Sequence, residues 1–265
     1  MRYAVDHDYH IHSGLSLCSG DPEQTPERML RYAEDEGLKT ICITDHFWDE
    51  SIACIDGWYK KQDFGYISRS LPLPTSDKVE FLFGAETELN VNMTLGISKE
   101  KLDKLSFLII PTTHLHTANT ISPEDGATPE GRARVWVSRL DGVLDMDLPF
   151  GKIGIAHLAC SLIAKEHSVY LKTLELLPEK ELERVFAKAA KRGVGIELNK
   201  FDMNYSESEK EIILRPFRIA KNQGCKFYLG GDAHFPKDFA TYKAIMERAV
   251  TDLNLTENDK FYITR

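Results

Sequence analysis

The stretch Asp8-Tyr9-His10-Ile11-His12-Ser13 ends a short segment, Tyr3–Tyr9, whose pattern favours a β-strand. Residues two apart on a strand point to the same face, so Asp8, His10 and His12 are expected on one side of it. Paired imidazoles at a strand end are typical of metal ligands, although a structural or surface role also fits this motif alone. Its meaning therefore depends on which residues end the other strands.

Short apolar segments recur along the chain, and each is followed by a polar turn and a helical pattern. Seven strands are predicted: Tyr3–Tyr9, Lys39–Thr44, Val79–Gly84, Leu105–Ile110, Lys152–Ala156, Val194–Leu198 and Lys226–Leu229. Helix starts are indicated at Thr25-Pro26-Glu27 and Thr128-Pro129-Glu130, and helix ends at Gly37 and Gly193. Helical spacing of apolar residues covers Pro178–Arg192, Ser206–Gln223 and Pro236–Asp252. Strands that alternate with helices imply a parallel sheet with right-handed crossovers.

Length and composition fit closure of this sheet into a barrel. The chain has 265 residues, of which 42% are hydrophobic and 28% charged, and no composition break divides it. We therefore expect a single α/β domain over residues 1–265, a distorted (β/α)7 relative of the TIM barrel.

Charge and cysteine content restrict the partners and the compartment. The formal net charge is −8 and no basic run occurs, which argues against long nucleic acids and anionic membranes as partners. No stretch reaches the ~18 apolar residues of a membrane span, and the first residues do not resemble a signal peptide. The five cysteines are scattered, as expected of reduced thiols, so a cytoplasmic protein is predicted.

Every predicted strand is followed at its carboxyl end by residues that can bind a metal. In chain order they are Asp8, His10, His12, Asp45, His46, Glu86, Glu88, His114, His116, His157, Glu197, Asn199, Asp232 and His234. Each alone has an ordinary structural explanation, but the carboxyl ends of parallel strands share one rim, where active sites form. Imidazoles and carboxylates in this number favour two or three divalent ions of zinc, iron or manganese.

With these residues in place, the sequence resembles the PHP (polymerase and histidinol phosphatase) family of metal hydrolases. The matching motifs run in the family's order: Asp8-Tyr9-His10-Ile11-His12-Ser13, Thr44-Asp45-His46, Gly84-Ala85-Glu86, Thr113-His114, Ala156-His157 and Gly231-Asp232-Ala233-His234. The resemblance implies a distorted (β/α)7 TIM-like barrel with the metal site at the carboxyl ends of its strands. The length resembles the stand-alone, histidinol-phosphatase-like branch.

The resemblance also implies a role for each ligand. His10, His12, Glu86 and Asp232 would hold a first ion, and Glu86 would bridge to a second ion held by His114 and His157. His46 and His234 would hold a third ion. Glu86, Asp232 and His234 would be the catalytic residues, with Glu86 preferred to Glu88 because it lies two residues after the family's glycine.

One position departs from the branch, which often has a further histidine six residues after the second motif histidine. Here Cys18 occupies that position. A thiolate is a competent zinc ligand, so Cys18 is a candidate for the third ion. The alternative is that Cys18 is a small apolar loop residue and that Asp21 or water takes the place.

The function implied is that of a metal-dependent phosphatase acting on a small phosphate monoester, similar to histidinol phosphate. Hydroxide held between two ions would attack phosphorus in line. Substrate-contacting candidates near the rim are Asn199, Lys200, Arg215 and Lys237. The stretches Asp49–Ser76 and Thr117–Gly131, which lack clear periodicity, are expected to shape the pocket.

Three other functions stay open at the level of sequence. A phosphodiesterase or exonuclease would use the same metals but needs a basic, aromatic groove for its strand. An amidohydrolase also begins with an H-x-H motif, but typically has a lysine after the fourth strand, where this chain has His114. A non-catalytic metal-binding regulatory module is the third, and the complete ligand set argues against it.

Overall fold

A parallel β-sheet forms the centre of the molecule. The computed structural model describes residues 1–53, 56–117 and 119–264. Within these ranges the strands are β1 (His7–Ile11), β2 (Thr40–Ile43), β3 (His46–Phe47), β4 (Glu80–Thr87), β5 (Phe107–Pro111), β6 (Ile153–Ala156), β7 (Gly195–Asn199) and β8 (Lys226–Gly230). The order in the sheet is β1-β2-β4-β5-β6-β7-β8, and β3 pairs with the end of β4.

The sheet curls into a nearly closed barrel because its first and last strands meet. Ile11 and Ala233 form a parallel bridge. The His12 amide donates to the Ala233 carbonyl at 3.0 Å, and the Asp232 amide donates to the His10 carbonyl at 2.6 Å. The predicted TIM-like α/β barrel is therefore confirmed.

All seven predicted strands are present, and an eighth, β3, continues the chain direction of β2 after a two-residue break. The first strand begins at His7 rather than at the predicted Tyr3. The preceding residues pair instead with the C-terminal segment, through an antiparallel bridge between Arg2 and Thr256 and a bond from the Tyr3 amide to the Leu255 carbonyl. A strand pattern alone cannot distinguish these two partners.

Helices cover the outside of the barrel. Their bounds are α1 (Pro26–Glu36), α2 (Phe64–Ile67), α3 (Lys99–Leu102), α4 (Pro123–Gly126), α5 (Pro129–Asp145), α6 (His167–Glu175), α7 (Glu179–Arg192), α8 (Lys210–Asn222) and α9 (Tyr242–Asp252). Thr25 and Thr128 cap α1 and α5, and the left-handed Gly37 and Gly193 end α1 and α7, as predicted. None of the helices in the described ranges is long and apolar enough to cross a bilayer.

Two predicted helices begin later than their sequence pattern. The helix expected from Ser206 starts at Lys210, because the Ser206 amide and hydroxyl bond to the Glu209 carboxylate and form a turn. The pattern from Pro236 divides into a 3₁₀ segment, Pro236–Thr241, and α9. That one domain spans residues 1–265 stays a prediction.

The hydrophobic core has two parts. The larger part fills the space between strands and helices. The smaller part contains residues from most of the strands: Tyr9, Cys42, Leu82, Phe107, Ile109, Ala156, Tyr228 and Phe261. Side chains from so many strands can contact one another only inside the barrel. The apolar contents of the barrel thus fill its lower part and leave the carboxyl rim to polar groups.

The packing of Tyr228 inside the barrel requires a glycine opposite it. A Cβ atom on Gly154 would lie 2.5 Å from the ring of Tyr228, which is fully buried. We predict that Gly154→Ala lowers the free energy of unfolding by about 1–3 kcal/mol through overpacking, as measured by urea denaturation. The matched control Gly57→Ala adds a methyl group with no atom within 4 Å. Equal stability of the two variants would contradict this packing.

Candidate metal centre

Side chains from the strand ends converge at the carboxyl rim of the barrel. His10 of β1 and His12, which directly follows this strand, both face the cluster, and the register between β1 and β2 shifts between Asp8 and Ile11. Asp8 does not reach the cluster with them. Its carboxylate instead accepts from the Gly231 amide at 2.7 Å and from the Tyr32 hydroxyl of α1 at 3.2 Å. The expectation that all three side chains share one face is therefore wrong, because strand alternation is interrupted at this irregularity.

Glu86, at the end of β4, lies in the middle of the cluster. Its Oε2 atom is 3.4 Å from His10 Nε2, 3.3 Å from His12 Nε2 and 3.1 Å from His46 Nδ1. Its Oε1 atom is 3.2 Å from His157 Nε2. One carboxylate therefore contacts four imidazoles from the ends of three strands, β1, β3 and β6, as a group that bridges two ions would have to do.

Asp232, after β8, is the second carboxylate of the cluster. Its Oδ1 atom is 3.2 Å from His12 Nε2 and 3.5 Å from His234 Nδ1, and its Oδ2 atom is 3.9 Å from His157 Nε2. Asp232 and His157 both have left-handed backbones, with φ of 50° and 62°. Such conformations are unfavourable for these residue types and concentrate at functional sites.

The structure brings all eight predicted ligands together. Seven of them, together with Glu197, form four sets in which all ligand atoms lie within 4.8 Å of one another: His12, His46 and His234; His10, His12 and Glu86; Glu86, His114 and His157; and His10, His157 and Glu197. The eighth, Asp232, joins the cluster through its contacts with His10 and His12. The first three sets resemble the predicted three-ion division. Glu197, one of the residues predicted from the sequence to be able to bind a metal, has no place in the three-ion division, and it belongs to the fourth set.

Buried polar atoms without partners show that divalent cations fit these residues. Within the described ranges, Glu86 Oε2, His46 Nδ1 and His114 Nε2 are buried without a hydrogen bond. An unsatisfied buried polar atom is costly, and cations bound at the separate ligand sets would provide partners for these atoms. The donor set of imidazoles and carboxylates suits zinc, iron or manganese.

The electrostatics of the cluster favour ionised carboxylates despite their burial. Burial alone would raise the pKa of Glu86, but His46 and His10 hold it well below its ordinary value. Burial would lower the pKa of His10, but Glu197, Asp232 and Glu86 raise it well above that of a free imidazole. The carboxylates are therefore ionised and ready to accept a cation.

Glu197 of β7 orients His10 from behind the cluster. His10 Nδ1 donates to Glu197 Oε1 at 2.6 Å, which leaves Nε2 for the cluster. The other oxygen of Glu197 accepts from the His157 amide at 3.1 Å and from Asn199 Nδ2 at 3.2 Å. Asn199 also donates to Asp232 Oδ2 at 3.3 Å, accepts from the Phe201 amide at 2.9 Å through Oδ1, and is fully buried. Hydrogen bonds of this kind fix ligand orientation.

His12 is oriented by a relay of a hydroxyl and a carboxylate. Ser16 Oγ donates to Asp45 Oδ1 at 2.7 Å and accepts from His12 Nδ1 at 3.0 Å. Asp45 also accepts from the Ser13 amide and hydroxyl, each at 2.7 Å. Sequence reasoning missed Ser16, and the signal that points to it is its position four residues after His12.

The remaining predicted residues lie outside the cluster. Cys18 is exposed on the cavity wall and belongs to none of the ligand sets found among the described residues. Desolvation and the carboxylates of Glu86 and Asp232 raise the pKa of its thiol to about 12. Lys200 is buried and donates to the Asp238 carbonyl. Arg215 contacts the Glu175 carbonyl, and the Lys237 ammonium lies 5.2 Å from the Phe235 ring centroid. The structure brings none of these three cations to the cluster.

A cavity of about 400 Å³ opens onto the cluster. Besides the ligands, its walls are formed by Cys18, Asp56, Trp58, Tyr59, Glu88, His116, Thr117, Thr120 and Leu162. The walls draw on both stretches expected to shape the pocket. The part of the lining that the structure describes contains neither lysine nor arginine.

Comparison with known proteins identifies the family. A family model described as the PHP domain matches residues 8–201. The chain belongs to the PHP domain family. A probable phosphatase from Caldicellulosiruptor saccharolyticus is 22% identical over 232 residues, which cover 87% of this chain and 81% of the relative. The matched range ends before Asp232 and His234, which the closure of the barrel brings to the cluster.

The fold itself has a solved counterpart. The crystal structure of histidinol phosphate phosphatase from Lactococcus lactis subsp. lactis, complexed with zinc, L-histidinol and phosphate, is 15% identical. It superposes with a TM-score of 0.59 and covers 92% of this chain and 93% of its own. At this identity the likeness shows that the two chains share the barrel fold.

The central position of Glu86 in this PHP domain leads to a prediction about metal content. Because its carboxylate contacts two ligand sets, Glu86→Gln is expected to reduce the bound zinc to at most one ion per chain after dialysis, as measured by elemental analysis. The control Glu100→Gln changes an exposed carboxylate paired with Lys104 and should retain the wild-type content. Full retention of metal in Glu86→Gln would contradict the bridging role.

Proposed function

We propose that the chain is a metal-dependent phosphatase that hydrolyses a small phosphate monoester similar to histidinol phosphate. The observation that carries this proposal is a cavity of small-molecule size, about 400 Å³, that opens directly onto the cluster of imidazoles and carboxylates. The names of a probable phosphatase and of a histidinol phosphate phosphatase among similar proteins support it.

The proposed ions would be held by the eight ligands of the cluster, His10, His12, His46, Glu86, His114, His157, Asp232 and His234. Two or three divalent cations bound there would activate a water molecule and neutralise charge on phosphate oxygens. The chain's own residues prepare this site in two ways. Glu197 and Ser16 hold His10 and His12 with one nitrogen toward the cluster, and Glu86 and Asp232 supply ionised carboxylates.

The composition of the cavity wall favours a compact anion over a long one. Because the described lining offers no lysine or arginine, a phosphate dianion would owe its binding to the proposed ions. A polynucleotide needs cationic side chains along its whole length. The wall therefore supports a single phosphate group at the cluster rather than an extended strand.

The leaving group of the ester would contact an aromatic wall. Trp58 lies edge-on to His46, with ring centroids 5.1 Å apart, and Tyr59 packs against Trp58 at 4.7 Å. Leu162 also lines the cavity, and its side chain is 39% exposed. This arrangement suits a small organic group bound to a phosphate at the ligands.

The first test compares phosphate esters with and without metal. We expect p-nitrophenyl phosphate to be hydrolysed in the presence of Zn²⁺ or Mn²⁺, with the rate lowered at least 100-fold by chelation and restored by metal. Bis(p-nitrophenyl) phosphate should be hydrolysed at least tenfold more slowly. A faster reaction with the bis-ester would favour the phosphodiesterase. Metal binding without hydrolysis of either ester would favour the non-catalytic module.

The second test concerns the aromatic wall. Trp58→Ala removes the largest partly exposed ring of the cavity, so we expect the KM for histidinol phosphate to rise about tenfold, the equivalent of one lost aromatic contact of ~1.4 kcal/mol. The value of kcat should change less than threefold. The control Tyr262→Ala removes a ring that is 61% exposed and contacts Glu257. An unchanged KM in Trp58→Ala would place the leaving group elsewhere.

A further inference from the structure

We propose that Arg139 and Glu88 are positioning residues for the ligand His114, and that Tyr59 uses the same carboxylate to couple the aromatic wall of the cavity to that ligand. This inference rests on the proposed metal binding at the cluster. It concerns groups that sequence reasoning left without a role or, for Glu88, set aside in favour of Glu86.

Arg139 lies on α5 and is almost fully buried, with 2% of its surface exposed. Its guanidinium donates to the backbone of three segments: to the Leu89 carbonyl at 2.8 Å, the Thr112 carbonyl at 2.7 Å and the Thr120 carbonyl at 3.0 Å. Leu89 follows β4, Thr112 follows β5, and Thr120 belongs to the cavity wall. The planar guanidinium has five N–H donors and can bond to three backbone segments at once, whereas the ammonium group of a lysine would be less suited to this.

Glu88 compensates the buried charge of Arg139 and is itself 2% exposed. Its Oε1 atom lies 3.4 Å from the Arg139 guanidinium and accepts from the Leu89 amide at 2.8 Å. Its Oε2 atom accepts from His114 Nδ1 at 2.9 Å and from the Tyr59 hydroxyl at 3.3 Å. Both oxygens of the Glu88 carboxylate therefore have partners, and Arg139 of α5 helps to fix its position.

The bond from His114 to Glu88 decides which nitrogen faces the cluster. With the proton held on Nδ1, the Nε2 atom of His114 has a free lone pair, and this atom is buried without a hydrogen bond among the described residues. Glu86 and His157 provide the other ligand atoms of the same set. Glu88 therefore holds both the rotation and the tautomer of a ligand whose set contains the bridging carboxylate.

Tyr59 extends this network to the cavity. Its ring is buried beside Trp58, and its hydroxyl shares Glu88 Oε2 with His114. A cation that fixes His114 also fixes Glu88, and so favours the position of Tyr59 seen here. Coupling between two sites is reciprocal, so the placement of this wall also strengthens metal binding at His114.

The first experiment measures Zn²⁺ binding by competition with a chromogenic chelator. In Glu88→Gln, one amide oxygen replaces two carboxylate acceptors, so His114 and Arg139 compete for it. We expect the dissociation constant of one Zn²⁺ to rise about 10–100-fold while the other ions keep the wild-type affinity. Arg139→Lys keeps the charge but loses the fork, and the same ion should bind more weakly. The matched control is Glu100→Gln, on the exposed face of α3.

The second experiment keeps the fold intact and tests the coupling. Tyr59→Phe retains the ring and removes only the hydroxyl that bonds to Glu88. In the wild type we expect Zn²⁺ to slow amide hydrogen exchange across residues 56–62, and in Tyr59→Phe we expect at least half of this slowing to be lost. A role confined to packing would leave the metal-dependent change in exchange the same in both proteins.

The outcomes separate this inference from the proposed function. If the wild-type chain binds no Zn²⁺, the proposed function fails. If the wild type binds two or three ions and Glu88→Gln binds them all with wild-type affinity, the positioning role is overturned and the proposed function stands. If Glu88→Gln loses one ion but Tyr59→Phe shows wild-type exchange, the coupling through Tyr59 is overturned.

Discussion

The carboxylate of Glu86, enclosed by four imidazoles, is the interaction on which the rest of the site depends. A carboxylate that is 1% exposed is costly unless opposite charge and hydrogen-bond donors surround it. His10, His12, His46 and His157 supply that environment from the ends of three strands. The barrel is therefore required to bring together groups that are far apart in sequence, and its curvature determines their distances.

The barrel meets this requirement by dividing its interior. Aromatic side chains such as Tyr9 and Tyr228 pack in its lower part, where Gly154 leaves room for them. Above them the inward positions change to imidazoles and carboxylates. Left-handed backbone at His157 and Asp232 turns these side chains inward just where their strands end. Close packing inside the barrel and left-handed backbone at the rim therefore both contribute to the placement of the ligands.

Much of this arrangement was predictable because it depends on local rules. Alternation along strands and the shared rim of parallel strands predicted the barrel and collected all eight ligand candidates. The start of β1 was not predictable, because residues before His7 pair with a segment some 250 positions away. The positions of Lys200 and Arg215 depend on the direction of single side chains and on carbonyl partners from other elements, which no periodicity reports.

The same limit explains why Glu88 was set aside in favour of Glu86. The two residues are two positions apart, Glu86 in β4 and Glu88 directly after it, and this spacing does not show that a buried arginine lies behind the second. Arg139 belongs to an ordinary helix, yet its charge makes a nearby carboxylate necessary, and that carboxylate is then available to orient His114. The acidic chain thus uses a buried cation to bind its own backbone, while the described part of the cavity lining has neither lysine nor arginine. Attraction of an anion is in this way left to the proposed ions, and the role proposed for Arg139 is to position the carboxylate that orients one of their ligands, His114.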